Sequence, residues 1–162
     1  MEVSRIRALR GPNLWSRHTA IEAIVQCEGA ENAIATMPGF EPAVRMLFPG
    51  LGALRSNRSV SLGHVLEAAA LALQEEAGCK VTFSRTTATV EPGTYQVVVQ
   101  YSEETVGKLA FGMAQQLVQA ALTGSGFDAE TAIAKLREHD EDVRLGPSTG
   151  SIVAGRDVRY GE

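Results

Sequence analysis

The sequence runs to 162 residues, 44% hydrophobic and 21% charged, which suits one compact domain with its own core and argues against a disordered chain. Its net charge of −4 excludes the basic footprint of a general nucleic-acid binder, and no stretch approaches the roughly 20 apolar residues that span a bilayer. Residues 1–10 alternate apolar and basic side chains without a signal-peptide core, so the cytoplasm is the expected compartment.

In chain order, the alternation over 3–9 predicts a strand, and Gly11-Pro12-Asn13 a turn. Residues 19–26 alternate again through Ile21 and Val25; a strand is favoured over a short helix. Residues 27–37 read as irregular or weakly helical, Pro38-Gly39 as punctuation, and 41–48 as a short helix ended by Pro49-Gly50. Leu62, Val65, Leu66, Ala69, Leu73 and Ala77 recur at helical spacing, predicting a helix over 61–77 with Ser61 as N-cap and Gly78 just past its end. Two strands, 80–87 and 94–101, flank a turn at Glu91-Pro92-Gly93 and form an antiparallel hairpin, the second strand apolar enough to be buried on both faces. A helix over 103–122 follows, capped by Ser102 and broken at Gly124–Gly126; Asp128 caps a charged helix over 129–142. Leu145-Gly146-Pro147-Ser148-Thr149 leads to a last helical turn, in which Ser148 and Thr149 read as an N-cap, and the tail after Ala154 looks cut rather than finished. No repeat or linker divides the chain, so 1–162 is read as a single α+β domain, a small antiparallel sheet with helices packed mainly on one face.

Charge is unevenly spread: residues 1–60 carry a net +2, residues 61–142 a net −7, and 143–162 a net +1. Twelve of the fifteen basic residues are Arg, whose planar fork suits carboxylates. Cys27 and Cys79 are far apart and lack metal-ligand spacing, which predicts two reduced, packed thiols. The three histidines are His18, His64 and His139, and neither the first nor the last has a nameable partner.

Four segments together carry a resemblance: Leu9-Arg10-Gly11-Pro12-Asn13-Leu14-Trp15-Ser16; Pro38-Gly39-Phe40 with its helix closing at Pro49; Gly63-His64-Val65-Leu66-Glu67 with Phe83-Ser84-Arg85-Thr86 and Gly93-Thr94-Tyr95-Gln96-Val97-Val98; and Leu145-Gly146-Pro147-Ser148-Thr149 with Ile152-Val153. None is specific alone, but their order over nearly the whole chain resembles the N-terminal domain of cyanophycin synthetases. That resemblance implies a cytoplasmic, homo-oligomeric ligase building multi-L-arginyl-poly-L-aspartate. In it an ATP-grasp domain adds aspartate and a Mur-ligase-like domain adds arginine, both using ATP and Mg. The N-terminal domain docks the polymer and needs no cofactor. Neither ligase domain fits in this chain, and it has no Gly-x-x-x-x-Gly-Lys-Ser/Thr phosphate loop, so alone it is not expected to consume ATP.

The resemblance also implies a metal question. In many relatives the central helix reads His-x-x-Glu-His with a further Glu four residues on, similar to inverzincin peptidases, in which a zinc held by two histidines activates water for the Glu. Here His64 and Glu67 stand at that motif, but Ala68 takes the second histidine position and Ala72 the later Glu position. With one imidazole left, and Glu103 or Glu104 as the only further candidate ligands, no metal and no catalysis are expected; His64 and Glu67 then read as a polar i, i+3 pair.

Candidate polymer contacts are Arg7, Arg10 and Arg17 around the first turn, read equally well as a solvated strand edge, and Arg55, Arg58 and Arg85, which bracket the central helix and are placed in one cleft with His64 and Glu67. Trp15 beside Arg17 fits guanidinium stacking, but a packing role is favoured. Three functions remain open: a polymer tether, which leads; a zinc peptidase making primers; and a scaffold for the oligomer.

Overall fold

The computed structural model describes residues 1–10, 19–51 and 60–145. The predicted turn at Gly11-Pro12-Asn13, Trp15, Arg17, His18, Arg55, Arg58 and the cap at Ser148-Thr149 lie outside them.

Four strands form one antiparallel sheet: β1 (Glu2–Leu9), β2 (Ala20–Gln26), β3 (Ser84–Ala88) and β4 (Thr94–Gln100), in the order β1-β2-β4-β3. The alternation over 19–26 therefore makes a strand, and a central one: Ile21, Ala23 and Val25 face the core beside Val97 and Val99 of β4. The segment after β2 makes two 3-10 turns, Gly29–Asn32 and Ile34–Thr36, before α1 (Phe40–Leu47). Helix α2 (Leu62–Glu76) and α3 (Glu104–Thr123) lie against the same face of the sheet, and α4 (Ala129–Leu145) packs on both of them. This is the expected α+β layout. Both cysteines are buried and neither forms a disulfide, and among the described residues no helix is long and apolar enough to cross a membrane.

The helix ends follow local chemistry. Ser61 caps α2, its Oγ accepting from the Gly63 N–H at 3.1 Å, and Gly78 turns the chain out at φ +96°. Asp128 caps α4 through the Thr131 N–H. At α3 the expectation of Ser102 is corrected: Glu103 is the N-cap, its Oε1 accepting from the Thr105 N–H at 2.8 Å. Helix α4 continues past Asp142 to Leu145.

Strand β3 starts four residues later than the apolar pattern predicts. The Gln100 side-chain oxygen accepts from the N–H groups of Thr82 (2.8 Å) and Phe83 (3.0 Å), so a side chain takes donors that a longer ladder would use. Strand β1 carries a bulge. Ser4 pairs with Ile24 and Arg7 with Glu22, so Arg5 and Ile6 together face the one residue between them, and Arg5 sits at φ +53°.

Candidate functional site

Two constellations contain four of the predicted residues, His64 and Glu67 in one and Arg7 and Arg85 in the other, and they lie on opposite faces of the sheet.

The first is the seam between α2 and β3. His64 is the third residue of α2, and its Nδ1 accepts from the Ser61 N–H at 3.0 Å, completing a reciprocal cap with the Ser61 hydroxyl 2.9 Å away. Its ring meets Tyr95 edge-on at 6.0 Å, and Tyr95 in turn donates from its hydroxyl to Asn32 at 2.9 Å. Burial pushes the His64 pKa down, favouring the neutral ring. One turn on, Glu67 is half-buried. The Thr86 hydroxyl lies 3.2 Å from both Glu67 Oε1 and the Gly63 carbonyl and shares its one proton between them. Burial raises the Glu67 pKa, opposed by hydrogen bonds from Ser84 and Thr86.

The second constellation is a row across the outer face. Register aligns Arg7, Glu22, Val98 and Arg85 on β1, β2, β4 and β3. Val98 is 1% exposed and Glu22 5%, while Arg7 and Arg85 are exposed. The Arg7 Nε donates to Glu22 Oε1, and Gln96 Nε2 donates to Glu22 Oε2 at 2.7 Å. The Arg85 guanidinium stands 5.9 Å from the Phe83 ring centre. Strands alternate their side chains, so Thr86 reaches Glu67 and Arg85 points the other way. The expected single cleft of Arg85 with His64 and Glu67 is therefore corrected.

Arg10 belongs to neither. Its Nε and Nη2 donate to Glu104 at 2.8 and 3.2 Å, and Lys108 Nζ reaches the same carboxylate at 2.9 Å. These hydrogen bonds, Arg10's foremost, hold the Glu104 pKa at about 2.

Among the described residues, the side chains around His64 do not fit a zinc ion. His64 has only Nε2 left to offer, Ala68 has no donor atom, and Glu67 is held by hydroxyls. Glu103 is spent as a cap and Glu104 on two cations. Both follow Tyr101, whereas His64 meets Tyr95 at the other end of β4, about 20 Å away at strand rise. Among the described residues no three His, Cys, Asp or Glu side chains converge as a metal would need.

Sequence reasoning missed Glu22 and Gln96. The available signal was Glu22 itself, a lone charge inside Ala20-Ile21-Glu22-Ala23-Ile24-Val25, where a buried carboxylate must find a partner.

Comparison with known proteins agrees with this reading of the segments. The cyanophycin synthetase of Trichormus variabilis is 34% identical, the alignment covering 98% of this chain and 20% of that protein. Those of Geminocystis herdmanii and Synechocystis are each 32% identical over the same shares. The chain thus spans about a fifth of the length of the curated relatives it matches. The sequence model of the cyanophycin synthase-like N-terminal domain matches residues 23–123, from the second strand to the end of α3. With more than half its length matched, the chain belongs to the cyanophycin synthase-like N-terminal domain family.

Proposed function

We propose that this domain is a non-catalytic tether for cyanophycin, working beside the ATP-grasp and Mur-ligase-like domains of a cyanophycin synthetase and leaving ATP and Mg to them. The observation that carries this reading is the outer row: Arg7 and Arg85 at its ends, the Glu22 carboxylate and Gln96 amide between, and Val98 as an apolar floor. Each repeat of the polymer presents one carboxylate and one guanidinium. The exposed Arg7 and Arg85 forks suit the first, while Glu22, buried and already held by Arg7 and Gln96, orients Arg7 rather than receiving the second. Tethering raises the concentration of chain ends near the ligase sites without adding chemistry. The peptidase alternative finds no support in the ligand set around His64.

The test is titration of this chain with soluble cyanophycin fragments. We expect weak binding that falls as salt rises, because exposed charge pairs are screened. Charge reversal in Arg7→Glu and Arg85→Glu should each weaken it several-fold, with circular dichroism confirming the fold. Unchanged affinity in both variants would remove the outer face from consideration. Fragment shortening that a chelator abolishes would restore the peptidase reading.

A further inference from the structure

The geometry points to the Glu67 carboxylate, framed by the Ser84 and Thr86 hydroxyls in the α2–β3 seam, as a receptor for one guanidinium group, that of an arginine side chain. Taking that arginine from cyanophycin rests on the tether reading; the receptor itself does not.

Glu67 has satisfied neighbours but, among the described residues, no counter-charge. A carboxylate offers about four acceptor positions, and the hydroxyls of Ser84 and Thr86 occupy two. Neither hydroxyl brings charge. His64 does not supply it either, since its Nδ1 is an acceptor in the cap of α2. Among the described residues no Lys or Arg pairs with Glu67. A half-buried carboxylate left this way costs free energy that an arriving cation recovers.

The surroundings select the shape of that cation. His64, Ala68 and Leu71 sit three before, one after and four after Glu67, and all are partly exposed, so this stripe of α2 borders solvent beside β3. Ala68 contributes only a methyl group there. A planar fork can reach the free acceptor positions of one carboxylate together, and the i, i+3 spacing brings the flat His64 ring alongside it. An ammonium is a point charge without that fit. A metal ion lacks ligands here among the described residues.

The experiment is a heteronuclear NMR titration of the 15N-labelled chain with N-propylguanidinium, with n-butylammonium as a second cation, and with soluble cyanophycin fragments. Propylguanidinium should shift the amides of His64, Glu67, Ala68 and Thr86 with millimolar saturation, and butylammonium should bind at least threefold more weakly. Glu67→Gln should weaken propylguanidinium at least tenfold, while Arg45→Gln, on α1 and outside both constellations, should leave it unchanged. The same seam shifts with cyanophycin, lost in Glu67→Gln, identify the polymer as the source. Propylguanidinium binding without seam shifts from cyanophycin keeps the receptor and assigns it to free arginine, and polymer binding that survives Glu67→Gln while propylguanidinium leaves the seam unmoved overturns the receptor and keeps the tether. Equal response to the two cations in the wild-type chain also overturns it, with no variant needed.

Discussion

Ser61 and His64 show how one residue can serve a fold in place of the chemistry its motif suggests. Ser61 was legible as an N-cap from its place before an apolar run. The reciprocal half was not, because the returning side chain is an imidazole where the pattern expects Glu or Gln. Ser102 misled for a related reason: the two residues before a helix start can both accept from its N–H groups, and the longer Glu103 reached Thr105. His64 also makes stability depend on pH. Burial lowers its folded pKa below the usual 6.5, so between the two values the unfolded chain holds more protons and stability rises with pH. The contribution is complete above the unfolded value and shrinks as pH falls through that window. His64→Gln keeps an acceptor for the Ser61 N–H and removes the titration. Urea midpoints measured from about pH 5 to about pH 7.5 should therefore climb less steeply in the variant. Parallel curves would show that His64 is not the group responsible.

Among the elements, the order of helices and strands was readable from periodicity, and so was the β3–β4 hairpin. What could not be read was where side chains intrude on backbone ladders: Gln100 delays β3, and the bulge in β1 shifts register by one residue. The outer row was hidden for the same reason, since Arg7 and Glu22 become partners only once that bulge has set the pairing. Arg85 left the candidate cleft on alternation, as neighbouring residues 85 and 86 leave the strand on opposite sides. Helix α3 meets the sheet through a close approach. A Cβ on Gly107 would lie 2.5 Å from Tyr101 Cβ. Tyr101 is fixed in turn, donating its N–H to the Thr19 carbonyl and accepting the Thr19 hydroxyl on its own carbonyl. Gly107→Ala should thus lower stability by about 1–3 kcal/mol through overpacking, although alanine in a helix is otherwise better by about 1 kcal/mol. Urea denaturation measures it, and a stabilised variant would mean that Tyr101 yields.

Across the whole molecule, α2, α3, β2 and β4 share one core, including the fully buried Leu62, Leu66, Leu73, Leu117 and Phe111, while β1 and β3 lie at the sheet edges. Native-state hydrogen exchange should find the slowest amides in α2, α3 and β4, and faster opening in β1, whose bulge interrupts its pairing. Exchange in β1 as slow as in α3 would contradict this division. The charge asymmetry visible in the sequence is partly closed in the fold, where Arg10 from the positive segment meets Glu104 from the acidic one. The direction of the outer row has its own consequence. It crosses four strands at right angles to them, so Arg7 and Arg85 are about 14 Å apart. A chain lying along it meets side chains only and cannot add to the sheet as a fifth strand. The row is cationic at both ends, but Glu22 lies beside Arg7 and Val98 beside Arg85, so it reads differently from the two sides and would hold such a chain in one orientation.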